Sequence, residues 1–138
     1  MNNEKCTMIA KPSKGDDWKA RTYAFALRII HLWRALPHRE DAHVLGKQLL
    51  RCGTSVGANY RSACLAKSPK DFLNKVRICL EEADESCYWL NLLIETEILP
   101  ESKLRPLLTE AHEISAIMTA SANTAEKNIS SAKNTLPR

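Results

Sequence analysis

Apolar residues return every three or four positions through four long stretches of this chain, and a proline stands at each break between them. That period belongs to a helix with one apolar face, since a half-buried strand alternates every second residue. In the first stretch Trp18, Phe25, Ile29, Leu32 and Leu36 share a stripe. Asp16 or Asp17 supplies its N-cap, and Pro37 closes it because the residue before a proline avoids the α region. The second stretch starts near Arg39 to Asp41 and keeps phase through Leu45, Leu49, Cys52, Val56, Tyr60 and Ala63 to about Lys67. That makes a helix of roughly 28 residues, about 42 Å long. Gly53 and Gly57 lie inside it, so either a neighbouring helix approaches closely there or the helix kinks. Ser68, Pro69 and Asp71 fill the N-cap, N1 and N3 positions of a third helix. It runs through Phe72, Val76, Cys79, Leu80, Ala83, Cys87, Leu90 and Ile94 to about Ile98–Leu99, before Pro100. A fourth begins at Glu101 or Ser102 with a seam from Leu104 to Ile129, whose far end is built of small residues and is expected to fray.

These segments predict an all-α fold, an antiparallel up-down-up-down four-helix bundle. With only 4 Gly and 6 Pro in 138 residues, a sandwich or barrel of short strands joined by Gly-rich turns is excluded. The length suits one domain. The expected boundaries are a flexible tail over 1–15, the bundle over 16–133 and a disordered end over 134–138. No apolar run approaches the roughly 18 residues of a membrane span, and residues 1–15 lack the apolar region of a secretory leader.

The third helix carries an anomaly. Tyr88, Trp89, Leu90, Leu92, Leu93 and Ile94 are interrupted only by Asn91, so apolar groups surround most of its circumference. A surface helix needs an apolar stripe little over 100° wide. Either the intramolecular core is unusually wide there, or a second copy of the chain covers Tyr88, Trp89, Leu92 and Leu93 in a homo-oligomer.

Charge is unevenly distributed. Residues 1–78 carry fifteen Lys and Arg against six Asp and Glu, a balance of +9, while residues 79–138 carry a balance of −5. Such asymmetry marks either a surface for nucleic acid or another acidic partner, or a basic half of a bundle packed beside an acidic half. Lys47, Arg51 and Arg61 lie away from the core stripe of the second helix, and Lys67 and Lys70 gather at the turn into the third. These five are the candidate phosphate contacts. Arg51 has a rival role as ion-pair partner of Glu82 or Glu85.

Other chemistry has little support. Cys6, Cys52, Cys64, Cys79 and Cys87 are odd in number and show no C-x-x-C spacing, which fits buried thiols in a reducing cytoplasm rather than a disulfide framework or zinc site. Glu81, Glu82, Asp84 and Glu85 lack the Glu-x-x-His pattern of di-metal bundles and read as a solvated, ion-paired face. Gly53 to Gly57 lacks the Lys-Ser/Thr ending of a phosphate loop. Ser55 or Ser86 as a nucleophile would need a base, and only distant His112 is a candidate. No cofactor, metal or catalytic residue is therefore expected.

Gln48-Leu-Leu-Arg-Cys-Gly-Thr-Ser-Val-Gly-Ala-Asn-Tyr60 resembles the signature of the four-helix bundle proteins encoded in intervening sequences of 23S ribosomal RNA genes. Asp71-Phe72 with Lys75, Leu80 to Ser86, and Tyr88-Trp89-Leu90 resemble that family's second block, and Phe25 to Pro37 its first-helix pattern. Where the family often has Glu after the Asn-Tyr-Arg stretch, this chain has Ser62. The resemblance implies a closed homo-oligomer, commonly a pentamer. It also implies kinship with the accessory variability protein of diversity-generating retroelements, a basic pentameric bundle that binds nucleic acid and a reverse transcriptase. The reading that results is a non-enzymatic, cytoplasmic accessory factor that binds RNA or DNA. The alternative is a protein-interaction scaffold with no nucleic-acid role.

Overall fold

The computed structural model describes residues 14–135, and these form four helices: α1 (Lys14–Ala35), α2 (Glu40–Cys64), α3 (Pro69–Glu95) and α4 (Glu101–Thr135). Among the described residues there is no strand. Helix α1 starts ahead of the expected aspartate cap, and α4 runs through Asn134 and Thr135, which were expected to be disordered. The rest of the expected tail segments lies outside the described residues.

Neighbours in sequence are neighbours in space: α2 packs on α1 and α3, α3 on α4, and α1 makes a smaller contact with α4. The helices thus form a four-membered ring in which α1 and α3, like α2 and α4, stand across from one another. Phe25, Ile29, Leu49, Val56, Val76, Leu90, Leu93, Leu104, Ile114 and Met118 fill the centre.

Helix α2 is unbroken through its glycines, so close approach, not a kink, is their role. A Cβ on Gly57 would lie 3.2 Å from the Thr22 carbonyl oxygen, and one on Gly53 would lie 2.9 Å from Ile29 Cγ1. Backbone of α1 therefore rests almost directly on α2. Cross-helix contacts set the heights. Thr22 stands beside Gly57, Ile29 beside Gly53, and Leu36 beside Gly46. Cys79 Sγ donates to the Val56 carbonyl at 3.6 Å, Cys52 meets Ser86 at 3.3 Å, and Arg77 meets Glu126 at 3.4 Å.

Two helix ends fall short of the sequence expectation. Helix α2 stops at Cys64, where the Leu65 amide turns to the Ser62 carbonyl at 3.1 Å and the Ala66 amide to the Ala63 carbonyl at 3.0 Å; Ser68, preceding Pro69, is extended (φ −158°, ψ 161°), and its Oγ accepts from the Asp71 amide at 3.1 Å. Helix α3 stops at Glu95. Glu97 adopts a left-handed conformation (φ 57°), its amide donates to the Ile94 carbonyl, and the Ile98 amide reaches back to Leu93. This is a Schellman closure with a glutamate where glycine is usual, and Ile98 seals it by packing into the core.

Candidate nucleic-acid interface

The end of the bundle where α2 finishes, α3 starts and α4 finishes is rich in cations. Arg61 is exposed in the last turn of α2, Lys67 in the connecting loop, and Lys70 in the first turn of α3. Lys70 and Lys133 of α4 line one groove of about 550 Å³, whose floor is Leu73, Ile129 and Ala132 and whose wall includes Arg77 and Glu126. Arg77 pairs with Glu126, and the Asp71 carboxylate accepts from the Lys67 amide, so these two acids are engaged, while Asp17 in the first turns of α1 is exposed at the same end. Lys67 and Lys70 thus lie together at the turn, and Arg61, which the sequence grouped with Lys47 and Arg51, lies at the same end. Lys133 joins them, although sequence reasoning did not select it: it lies in the small-residue tail of α4, and only the folding of α4 back along α3 places it there.

The other two expected cations do not join this group. Lys47 is exposed but fourteen residues before Arg61 on α2, about 21 Å along the helix. Arg51 is an ion-pair partner: its guanidinium donates to Glu85 at 2.5 Å and to Glu82 at 3.4 Å on α3. Trp89 Nε1 donates to the same Glu85 carboxylate at 3.3 Å. The Arg51 guanidinium holds the Glu85 carboxyl below the usual carboxylate range. This ion pair is the rival role expected of Arg51.

Cys52 approaches the same two carboxylates, with ligand atoms of the three residues within 4.8 Å of one another. Arg51 already supplies the cation there. Burial pushes the Cys52 thiol up to about 11, so it stays protonated at neutral pH, a poor ligand and a poor nucleophile. Burial also pushes Cys87 up to about 11 and Cys79 up to about 12. His112 Nδ1 lies 3.7 Å from Cys87 Sγ. The Ser86 hydroxyl is engaged inside the core, 2.8 Å from the Glu82 carbonyl.

The all-round apolar segment divides differently from the expectation. Leu93 is fully buried within the single chain, and its assignment to a subunit interface is corrected: α3 packs on both α2 and α4, and Leu93 has no surface left for a second copy. Trp89 and Leu92 are half-buried, Trp89 packing against the core. Tyr88 alone of the four projects outward, 57% exposed.

Four packed helices, a buried apolar centre and one cationic end define a helical-bundle protein. No described helix is long and apolar enough to cross a membrane. Residues 17–120 match the family described as 23S rRNA-intervening sequence protein, and the chain belongs to that family. The fold is similar to the crystal structure of a protein of unknown function from the S23 ribosomal protein family of Bacteroides thetaiotaomicron VPI-5482. Identity is 39%, over 75% of this chain and 96% of that one, with a TM-score of 0.71. No curated protein matches the chain. The family match ends at Ala120, so Lys127 and Lys133 lie beyond it.

Proposed function

We propose that this protein is a non-enzymatic accessory factor that binds RNA or DNA through the cationic end of an antiparallel bundle, acting in the cytoplasm as a closed homo-oligomer. The observation that carries the reading is the convergence of Arg61, Lys67, Lys70 and Lys133 at one end while Asp71 and Glu126 beside them are engaged within the chain. Phosphate recognition of this kind needs cations free to shed counterions and sets no strict spacing. The opposed numbering of the cross-helix contacts supports the antiparallel course: positions rise along α1 as they fall along α2, and likewise from α2 to α3. Membership of the 23S rRNA-intervening sequence family is compatible with an RNA partner. The raised thiols and the arginine-held carboxylates support a non-enzymatic role.

The test is a comparison of two sets of variants in a binding assay with mixed single- and double-stranded RNA and DNA. Replacing Lys67, Lys70 and Lys133 by Gln should weaken binding tenfold or more at about 0.15 M salt. Lys47→Gln should change it less than twofold. Equal losses from the two sets would show that the charge of the whole surface matters and the end does not. No binding by the unaltered protein would favour an interaction scaffold.

A further inference from the structure

Two outward faces on opposite sides of the bundle are complementary to each other. Along α1, Ala20, Tyr23, Ala24, Leu27, His31 and Arg34 form an exposed stripe with Arg28 at its edge; Tyr23 is 61% and Leu27 42% exposed. Along α3, Ile78, Glu81, Asp84, Tyr88, Asn91 and Glu95 form the exposed stripe. Each is an apolar strip carrying charge of one sign, basic toward the end of α1 and acidic from Glu81 onward on α3. Arg28, Arg34, Glu81 and Asp84 make no ion pair within the described residues.

The heights also match. Thr22 stands beside Gly57, whose neighbour Val56 meets Cys79; Ile29 stands beside Gly53, whose neighbour Cys52 meets Ser86. At 1.5 Å per residue, Tyr23 is therefore within about one turn of the level of Ile78 and Glu81. On the same scale Arg28 is level with Asp84, and His31 with Tyr88. Even the change of sign is reproduced: exposed Asp17 in the first turns of α1 stands level with the part of α3 between Lys70 and Arg77.

We infer that the outer face of α1 in one copy docks against the outer face of α3 in the next, with Tyr23 and Leu27 meeting Ile78 and Tyr88, Arg28 meeting Asp84, and Arg34 meeting Glu95. This rests on the oligomeric part of the proposed function and names the surface that builds it. The contact is head-to-tail. A two-fold α3–α3 contact would set Glu81 and Asp84 against their own copies, and an α1–α1 contact would do the same with Arg28 and Arg34, each placing like charges together. Matching heights mean no rise from one copy to the next; closure further requires the two faces to be inclined to one another, since strictly opposite faces would give a linear filament.

The test is a charge swap read by light scattering or sedimentation at micromolar concentration. All four charged positions are exposed, so circular dichroism should stay unchanged in every variant. R28E/R34E and D84K/E95K should each shift dissociation at least tenfold toward monomer, and the chain carrying all four changes should recover most of the original mass. A monomeric unaltered protein, at 15.5 kDa, would remove both this interface and the oligomer itself. An oligomer indifferent to both double variants would leave the oligomer standing and overturn this interface, as would four changes no better than the worse pair.

Discussion

Arg51 shows how one residue can be read correctly in kind and ambiguously in role. Its position off the core stripe of α2 was legible, and so was the acidic run on α3. Which of the two met the other depended on the rotation of α3, which places Glu82 and Glu85 toward α2 and leaves Glu81 and Asp84 outward. Half-exposed pairs of this kind contribute about 1 kcal/mol or less. Arg51→Gln should therefore lower stability at neutral pH by roughly 0.5–1 kcal/mol while leaving nucleic-acid binding at the cationic end unchanged. The sign with pH follows from the lowered Glu85 carboxyl. Its stabilisation is fully present above about 4.5, where the unfolded chain loses that proton, and is lost as the pH falls through the lower folded value. Denaturant melts of the two proteins should converge in acid; a gap that stays constant or widens would contradict the pairing.

At the scale of elements, the four helices were readable because period, caps and prolines agreed. Ser68, Pro69 and Asp71 form the start of α3 as their spacing requires. The errors fall at ends with no residue to mark them. Glu97 takes the left-handed position that glycine would have advertised, so apolar Ile98 and Leu99 carried the helical phase past the true end. Leu93 was misplaced for a related reason: an apolar helix exposes no polar face to show its rotation, and only the packing of α2 and α4 on either side fixes what remains outside. The glycines of α2 were legible as close-approach positions, and the 2.9 Å from a Gly53 Cβ to Ile29 Cγ1 gives that reading a sign. Gly53→Val should lower stability by about 2 kcal/mol, because Ile29 is pressed by its own branch atoms and cannot swing aside, and the modest gain in helix propensity does not offset overpacking. A thermal melt unchanged or raised in this variant would show that α1 and α2 separate freely at this crossing.

At the scale of the molecule, the sequence carried the uneven charge but not its geometry. Lys47, Arg51, Arg61, Lys67 and Lys70 looked alike in one dimension. Folding pairs one, isolates another, and adds Lys133 from a distant part of the chain to the remaining three. Likewise the two outer stripes of α1 and α3 become complementary only once their heights are fixed by contacts that run through α2.

The most direct measurement is the salt dependence of nucleic-acid binding. Each phosphate neutralised releases counterions, steepening the fall of log K with log salt by about 0.7–0.9. The unaltered protein should bind single- or double-stranded RNA or DNA with affinity that drops steeply between about 0.05 and 0.2 M salt. Substituting Arg61, Lys67, Lys70 and Lys133 by Gln should reduce the slope by roughly 3 while leaving the melting temperature in place. Flat isotherms near physiological salt, or a slope untouched by those four substitutions, would contradict the account.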